Sequence, residues 1–163
     1  MRHFLHFLLI ALFSITTAAA DESASHGTKG GHQFAVGEPA KGKADKTVRV
    51  SMRDNMRFVF TPQLESLHHG EVVRFSITND GKIPHEFSIG NAMEQKMHAE
   101  EMRKMASMSG MSGMAHKDPN TASLQPGESA EIVWRFKGKD TVVFSCNIPG
   151  HFEAGMRHDV AIH

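Results

Sequence analysis

Short runs of alternating apolar and polar residues, bounded by turn residues, commit most of the chain to strands with one buried face. In Thr47-Val-Arg-Val-Ser-Met52, Val48, Val50 and Met52 point one way and Arg49 and Ser51 the other. Met56 to Thr61 is a second candidate, stopped by Pro62, which cannot donate to a ladder. His68-His69-Gly70 reads as a turn before Val72 to Thr78, where Val73, Phe75 and Ile77 alternate with Arg74, Ser76 and Thr78. Asn79-Asp80-Gly81 closes that strand with turn chemistry. Pro84 to Gly90 is a short extended piece, and Gln125-Pro126-Gly127 opens a strand in which Ile132, Trp134 and Phe136 alternate with Glu131, Val133 and Arg135. Lys137 to Asp140 turns into Thr141 to Cys146, and His158 to His163 alternates once more. About seven short strands with turns between them predict an antiparallel sandwich.

The ends of the chain carry different signals. Arg2 and His3 precede an apolar run from Phe4 to Ile15, followed by Thr16, Thr17 and Ala18-Ala19-Ala20. This pattern predicts a secretory signal over residues 1–20 with an A-x-A cleavage site, because the run is short of the ~20 residues a membrane span needs. Cleavage near Ala20 predicts export, with the bacterial periplasm as the expected location, and no later segment is apolar enough to span a bilayer. Residues 21–46 are rich in Gly, Ala, Lys and Ser without apolar period, and read as a flexible arm. His26 and His32 in that arm are candidate metal ligands, although isolated histidines in a polar tail are more often solvated bystanders. The domain proper is expected over 47–163.

Residues 92–116 interrupt the strand pattern. Their first half, AMEQKMHAEEMRKMAS, consists of strong helix formers, and the second, MSGMSGMAH, is a Gly-Ser-Met repeat that should fray. Met93, Met97, Met102, Met105, Met108, Met111 and Met114 recur every three to five residues. At ~100° per residue, Met93, Met97, Met105 and Met108 share a broad helical face, with Met102 beyond its edge. The bland reading is a face packed on the sandwich. A core stripe normally mixes Leu, Ile and Val, however, and here every large apolar residue is Met. A thioether-rich metal-binding segment is the favoured reading, with His98 and His116 as further donors.

Composition sharpens the point. Eighteen Lys+Arg balance 18 Asp+Glu, so the chain lacks the basic excess that a nucleic-acid or anionic-membrane binder needs. Twelve His and 11 Met accompany a single Cys146, which excludes an internal disulfide. In an oxidising compartment a leftover thiol is a liability unless it is buried, paired between chains or bound to metal.

Cys146 opens the strongest motif, Cys146-Asn-Ile-Pro-Gly-His151-Phe-Glu-Ala-Gly-Met156, a C-x4-H-x4-M run directly after a strand. Thiolate, imidazole and thioether from one loop form a soft donor set suited to copper. One upstream histidine would complete a trigonal plane with Met as a long axial ligand, and His85 in Pro84-His85-Glu86-Phe87 stands in a suitable place. Each residue has a plainer alternative. Cys146 shares parity with Val142 and Phe144, His151 follows a Pro-Gly turn, and Met156 shares parity with Val160 and Ile162. Their joint occurrence at this spacing favours the metal site.

The N-x-G…P-H-E-F segment around His85 and the C-x-x-P-G-H-x-x-x-G-M loop resemble those of the cupredoxins, the single-domain type 1 copper proteins that include plastocyanin and azurin. The resemblance covers Thr47 to His163, with the Met-rich stretch as an insertion. It implies an all-β Greek-key β-sandwich and one type 1 copper, with His85, Cys146 and His151 as equatorial ligands and Met156 as the axial one. Backbone N–H groups near Glu86 and Asn147 are expected to donate to the Cys146 sulfur. In the family the second histidine is the usual electron port, and Ile148, Pro149 and Phe152 around His151 would supply an apolar patch for a transient redox partner.

Two function classes follow from the resemblance. A copper-tolerance cupredoxin that binds and oxidises Cu(I) is ranked first, because a pure shuttle needs no Met-rich addition and some exported cupredoxins with such additions are associated with copper defence. A soluble electron carrier between redox enzymes is the alternative. Multicopper oxidase chemistry is disfavoured, since Ser145 and Asn147 stand where those enzymes place histidines beside the cysteine. Hydrolase motifs such as G-x-S-x-G and H-E-x-x-H are absent.

Overall fold

The structure is a computed structural model that describes residues 33–108 and 118–163. The signal segment, His26, His32, Met111, Met114 and His116 lie outside the described residues. Along the chain run β1 (Gly37–Pro39), β2 (Lys46–Arg53), β3 (Arg57–Thr61), β4 (Ser66–Leu67), β5 (Val72–Asn79), β6 (His85–Gly90), α1 (Ala92–Ser107), β7 (Thr121–Leu124), β8 (Ser129–Phe136), β9 (Thr141–Ser145) and β10 (Arg157–Ile162). They form two five-stranded sheets, ordered β1-β8-β5-β2-β3 and β4-β10-β9-β6-β7. This is the expected β-sandwich with a helical insertion.

Register puts the predicted inward residues level with one another. Val48 pairs with Phe75 and Val50 with Ile77 between β2 and β5, while Phe75 faces Ile132 and Val73 faces Trp134 between β5 and β8. All of them are buried. From the other sheet Phe87 and Phe144 stack at 5.4 Å, and Phe75 lies 5.4 and 5.5 Å from those two rings. Each such fully buried ring contributes about 1.5–3 kcal/mol of transfer free energy.

The structure corrects the sequence reading in three places. The sheets are mixed rather than antiparallel, since β2 pairs parallel with β5 and β4 with β10. The chain visits β4 in the second sheet between β3 and β5, so β5 re-enters beside β2 in the same direction. The arm does not run to residue 46. Val36 is buried, Phe34 meets Trp134 edge to face at 5.0 Å, and β1 pairs with β8. An apolar anchor of this size is too short to show a period. Finally, the turn at Gln125-Pro126-Gly127 leads into β8 as expected but is preceded by β7, which the sequence reading did not assign, and the Glu128 N–H donates to the Gln125 carbonyl at 3.0 Å.

Helix α1 occupies the run of helix formers. Asn91 caps it, its Oδ1 accepting from the Glu94 N–H at 3.0 Å while Glu94 Oε2 accepts from the Asn91 N–H at 2.8 Å. Its inward face is polar: Gln95 is 2% exposed, whereas Met93, Met97 and Met108 are 64, 55 and 53% exposed. Those three methionines are turned to solvent, so packing against the sandwich does not account for them.

Candidate metal centre

His85 is delivered by a turn that its own sequence builds. The buried Asn79 side chain donates to the carbonyls of Ile83 and Leu124 at 2.8 and 3.0 Å and accepts from the Gly81 N–H at 2.9 Å. A Cβ on Gly81 would lie 2.1 Å from Asp54 Oδ1, so only glycine lets this turn approach the β2–β3 loop. Asp54 accepts from the Lys82 N–H at 2.8 and 3.0 Å, and its Oδ1 lies 3.0 Å from His85 Nε2. The Lys82 N–H, followed by His85, holds the Asp54 carboxyl below its usual range. An ionised carboxylate only accepts, so in the neutral imidazole the proton belongs on Nε2, which leaves Nδ1 as the nitrogen with the lone pair. That Nδ1 is buried and has no hydrogen-bond partner.

The other donors come from the loop between β9 and β10. Three backbone bonds fold it: the Cys146 N–H to the Met156 carbonyl at 3.1 Å, the Met156 N–H to the His151 carbonyl at 3.0 Å, and the His151 N–H to the Ile148 carbonyl at 3.0 Å. Gly155 has φ +94°, and Arg57 pins its carbonyl at 2.8 Å. Cys146 Sγ lies 3.3 Å from His151 Nδ1. One donor atom from each of His85, Cys146 and His151 falls within 4.8 Å of the others, an arrangement able to hold a metal ion. Met156 is buried at the end of the same loop, with Ile148 and Phe152 partly exposed and Pro149 exposed on its outer side.

Burial tunes these groups for metal rather than for free-thiol chemistry. It pushes the Cys146 thiol up to about 12, against the opposing pull of the Glu86 and Ile148 backbone N–H groups. Burial, reinforced by His85, lowers His151, which keeps its imidazole neutral. A metal must therefore displace the thiol proton. Adding Cu(II) to the apoprotein at pH 7 in weak buffer should release about one proton per ion bound, read with a pH indicator. A proton-neutral uptake would place the ion away from Cys146.

The sulfur's hydrogen bonds differ from expectation in one respect. The Glu86 N–H donates to Cys146 Sγ at 3.3 Å as predicted, but the Asn147 N–H goes to Glu86 Oε1 at 3.3 Å instead. Burial explains the switch: the Glu86 side chain is fully buried and must be satisfied by protein donors. Its Oε1 also accepts from His98 Nε2 at 2.9 Å and Asn147 Nδ2 at 3.4 Å, and its Oε2 from Ser123 Oγ at 3.1 Å. Gln95 closes the network by donating to the Val143 carbonyl at 2.7 Å and accepting from Asn147 Nδ2 at 2.8 Å. Sequence reasoning missed Asp54, the Glu86 side chain and Gln95, since none stands at a recognisable spacing from its partner. Met93, Met97, His98, Met102 and Met105 lie on α1 and Met108 at its end, and His98 is not a member of the His85, Cys146 and His151 group. No helix among the described residues is long and apolar enough to cross a membrane.

No protein-family model matches the chain. It is 41% identical over 162 residues to the copper-resistant cuproprotein CopI of Rubrivivax gelatinosus, covering 95% of this chain and 93% of that protein. It is also 41% identical over 166 residues to CopI of Vibrio cholerae, covering 91% and 93%. Among solved structures, auracyanin B superposes with a TM-score of 0.57 at 22% identity, over 78% of this chain and 96% of that one. An azurin from Methylomonas sp. strain J gives 0.55 at 15% identity, over 74% and 99%. These neighbours establish the fold as that of a cupredoxin, and the extent of identity to the copper-resistance proteins means that the chain belongs to the CopI family of copper-resistant cuproproteins.

Proposed function

We propose that the protein is an exported copper-tolerance cupredoxin holding one type 1 copper through His85, Cys146, His151 and Met156, with Cu(I) as its cargo. The observation that carries this reading is the buried His85 Nδ1, which has no hydrogen-bond partner while Asp54 holds the other ring nitrogen, beside a thiol and a second imidazole. A buried polar atom without a partner costs about 1–3 kcal/mol, which a bound soft metal removes. Copper bound there supplies one-electron chemistry, which is what oxidation of Cu(I) requires of an acceptor. The protein's part is to fix three donors before the ion arrives, to keep water from Cys146, and to leave His151 partly exposed beside Phe152 for a redox protein. The apolar run and A-x-A site of residues 1–20 support export to the periplasm.

Tolerance is favoured over a plain shuttle by the thioethers on α1. Core packing would bury them, yet Met93, Met97 and Met108 stand in solvent on a helix beside the ligand loop, where Arg103 Nη1 lies 3.9 Å from Glu153 Oε1. A host lacking the protein should grow poorly on copper and respire normally without it. Complementation with the triple variant Met93→Leu, Met97→Leu, Met108→Leu should restore growth only partly and lower the Cu(I) bound per chain, while the visible spectrum of the copper-loaded protein stays unchanged. Normal copper tolerance with impaired respiration in the deletion host would instead favour the shuttle.

A further inference from the structure

The end of the sandwich opposite the ligand loop carries two histidines that the copper centre does not use. In the parallel pairing of β4 with β10, Ala161 stands level with Ser66 and Ile162 with Leu67. The next residues in that register are His163 and His68. Two backbone bonds carry the ladder past the strand ends: the His163 N–H donates to the Leu67 carbonyl at 2.9 Å and the His69 N–H to the His163 carbonyl at 3.0 Å. Leu67 and Ile162 are buried, so strand alternation turns both histidines outward, and both are exposed. Glu71 Oε2 steadies the turn by accepting from the His68 N–H at 3.0 Å, while its Oε1 pairs with Lys46 at 2.8 Å.

Every other described histidine has a ring nitrogen already engaged. His69 Nδ1 accepts from the Gly138 N–H at 3.1 Å, His158 Nε2 lies 2.8 Å from the Leu64 carbonyl, and His85, His98 and His151 meet Asp54, Glu86 and Cys146. The rings of His68 and His163 hydrogen-bond to nothing among the described residues and meet each other, with centroids 6.4 Å apart at 53°. The His85 and His151 rings stand 5.1 Å apart at 57°. Two imidazole nitrogens bind one ion at about 2.0–2.1 Å each, and exposed side chains close the remaining gap by small rotations about χ1 and χ2.

We propose that His68 and His163 form a second copper site, for Cu(II), chelated by one nitrogen of each ring. Imidazole suits Cu(II), Zn(II) and Ni(II) alike, and the stability order of the divalent ions places Cu(II) highest. With two imidazoles and water as donors the ion takes a tetragonal nitrogen and oxygen environment, unlike the soft, buried donors of the ligand loop. β10 runs from that loop to His163, so at about 3.3 Å per residue the pair stands about 20 Å from Met156. The two sites share no residue and fill independently.

A second equivalent of Cu(II) added to the copper-loaded protein should give an axial EPR signal with nitrogen hyperfine structure, beside an unchanged visible band from the first. His68→Gln and His163→Gln change exposed side chains and keep the backbone ladder. Each should weaken the second ion at least about tenfold, since loss of either ring ends the chelate. His69→Gln, whose ring nitrogen serves Gly138, should leave that affinity unchanged. No second signal, a signal of full affinity in both variants, or equal weakening by His69→Gln would overturn the pair site. The visible band is a separate readout. A missing second signal beside an intact band removes the pair and leaves the type 1 reading standing, and a signal dependent on His68 and His163 without the band does the reverse.

Discussion

Cys146→Ser protein loaded with Cu(II) should lack the intense visible band that the wild-type holoprotein shows, because that band needs a thiolate bonded to Cu(II). The substitution removes the sulfur and little else. Serine is smaller than cysteine, its hydroxyl can take the Glu86 N–H that now reaches Sγ, and the loop stays closed by the Cys146-to-Met156 and Met156-to-His151 backbone bonds. Apoprotein stability should therefore fall by only about 1 kcal/mol. The two imidazoles and the thioether remain, so the variant should still take up copper as a nearly colourless complex. Visible absorption of wild type and variant at equal copper loading, with thermal melts of both apoproteins, checks the expectation. A coloured variant, or a colourless wild type, would sink the assignment of Cys146 as a ligand.

Much of this site was legible because its donors sit in two short segments whose spacing is set by the chemistry. Cys146, His151 and Met156 are separated by a single tight loop, and the N-x-G turn before His85 declares itself through Asn79 and Gly81. The strand parity of Val48, Phe75, Ile132 and Phe144 likewise follows from the period of two and reappears as the core. The supporting carboxylates were not legible for an equally physical reason. Asp54 reaches His85 across 31 residues, and Glu86 reaches Asn147 across 61. Such pairings depend on which strands become neighbours, and the parallel β2–β5 pairing was itself not evident in the periodicity. The helix shows the opposite case. Its limits could be read from helix formers, but its orientation could not, since the residue that docks it is Gln95, an amide satisfied by the Ser88 and Val143 carbonyls rather than an apolar anchor.

The core beneath the site should be far more sensitive than the site itself. Phe144→Ala should cost about 3–5 kcal/mol, lowering the apoprotein melting temperature by roughly 2–4 °C for each kcal/mol at this chain length. Phe144 is fully buried, stacks on Phe87 at 5.4 Å, and contacts Phe60 and Phe75, each at 5.5 Å. These neighbours come from β3, β5 and β6, so no single strand can shift to fill the cavity without breaking its own ladder. The ring also stands two residues before Cys146 on the same strand, which makes the variant a test of how core and metal site are joined. Cys146 is positioned by the Met156 carbonyl and by Glu86, and His85 by Asp54, all at the end of the sandwich beyond the aromatic cluster. The rise in melting temperature on copper loading should therefore be nearly the same in Phe144→Ala as in wild type, because ligand binding adds to stability through its own affinity term. A variant that melts low and also loses that rise would show that Phe144 holds the ligand loop in place, and that the hydrogen bonds around Glu86 are not sufficient to do so.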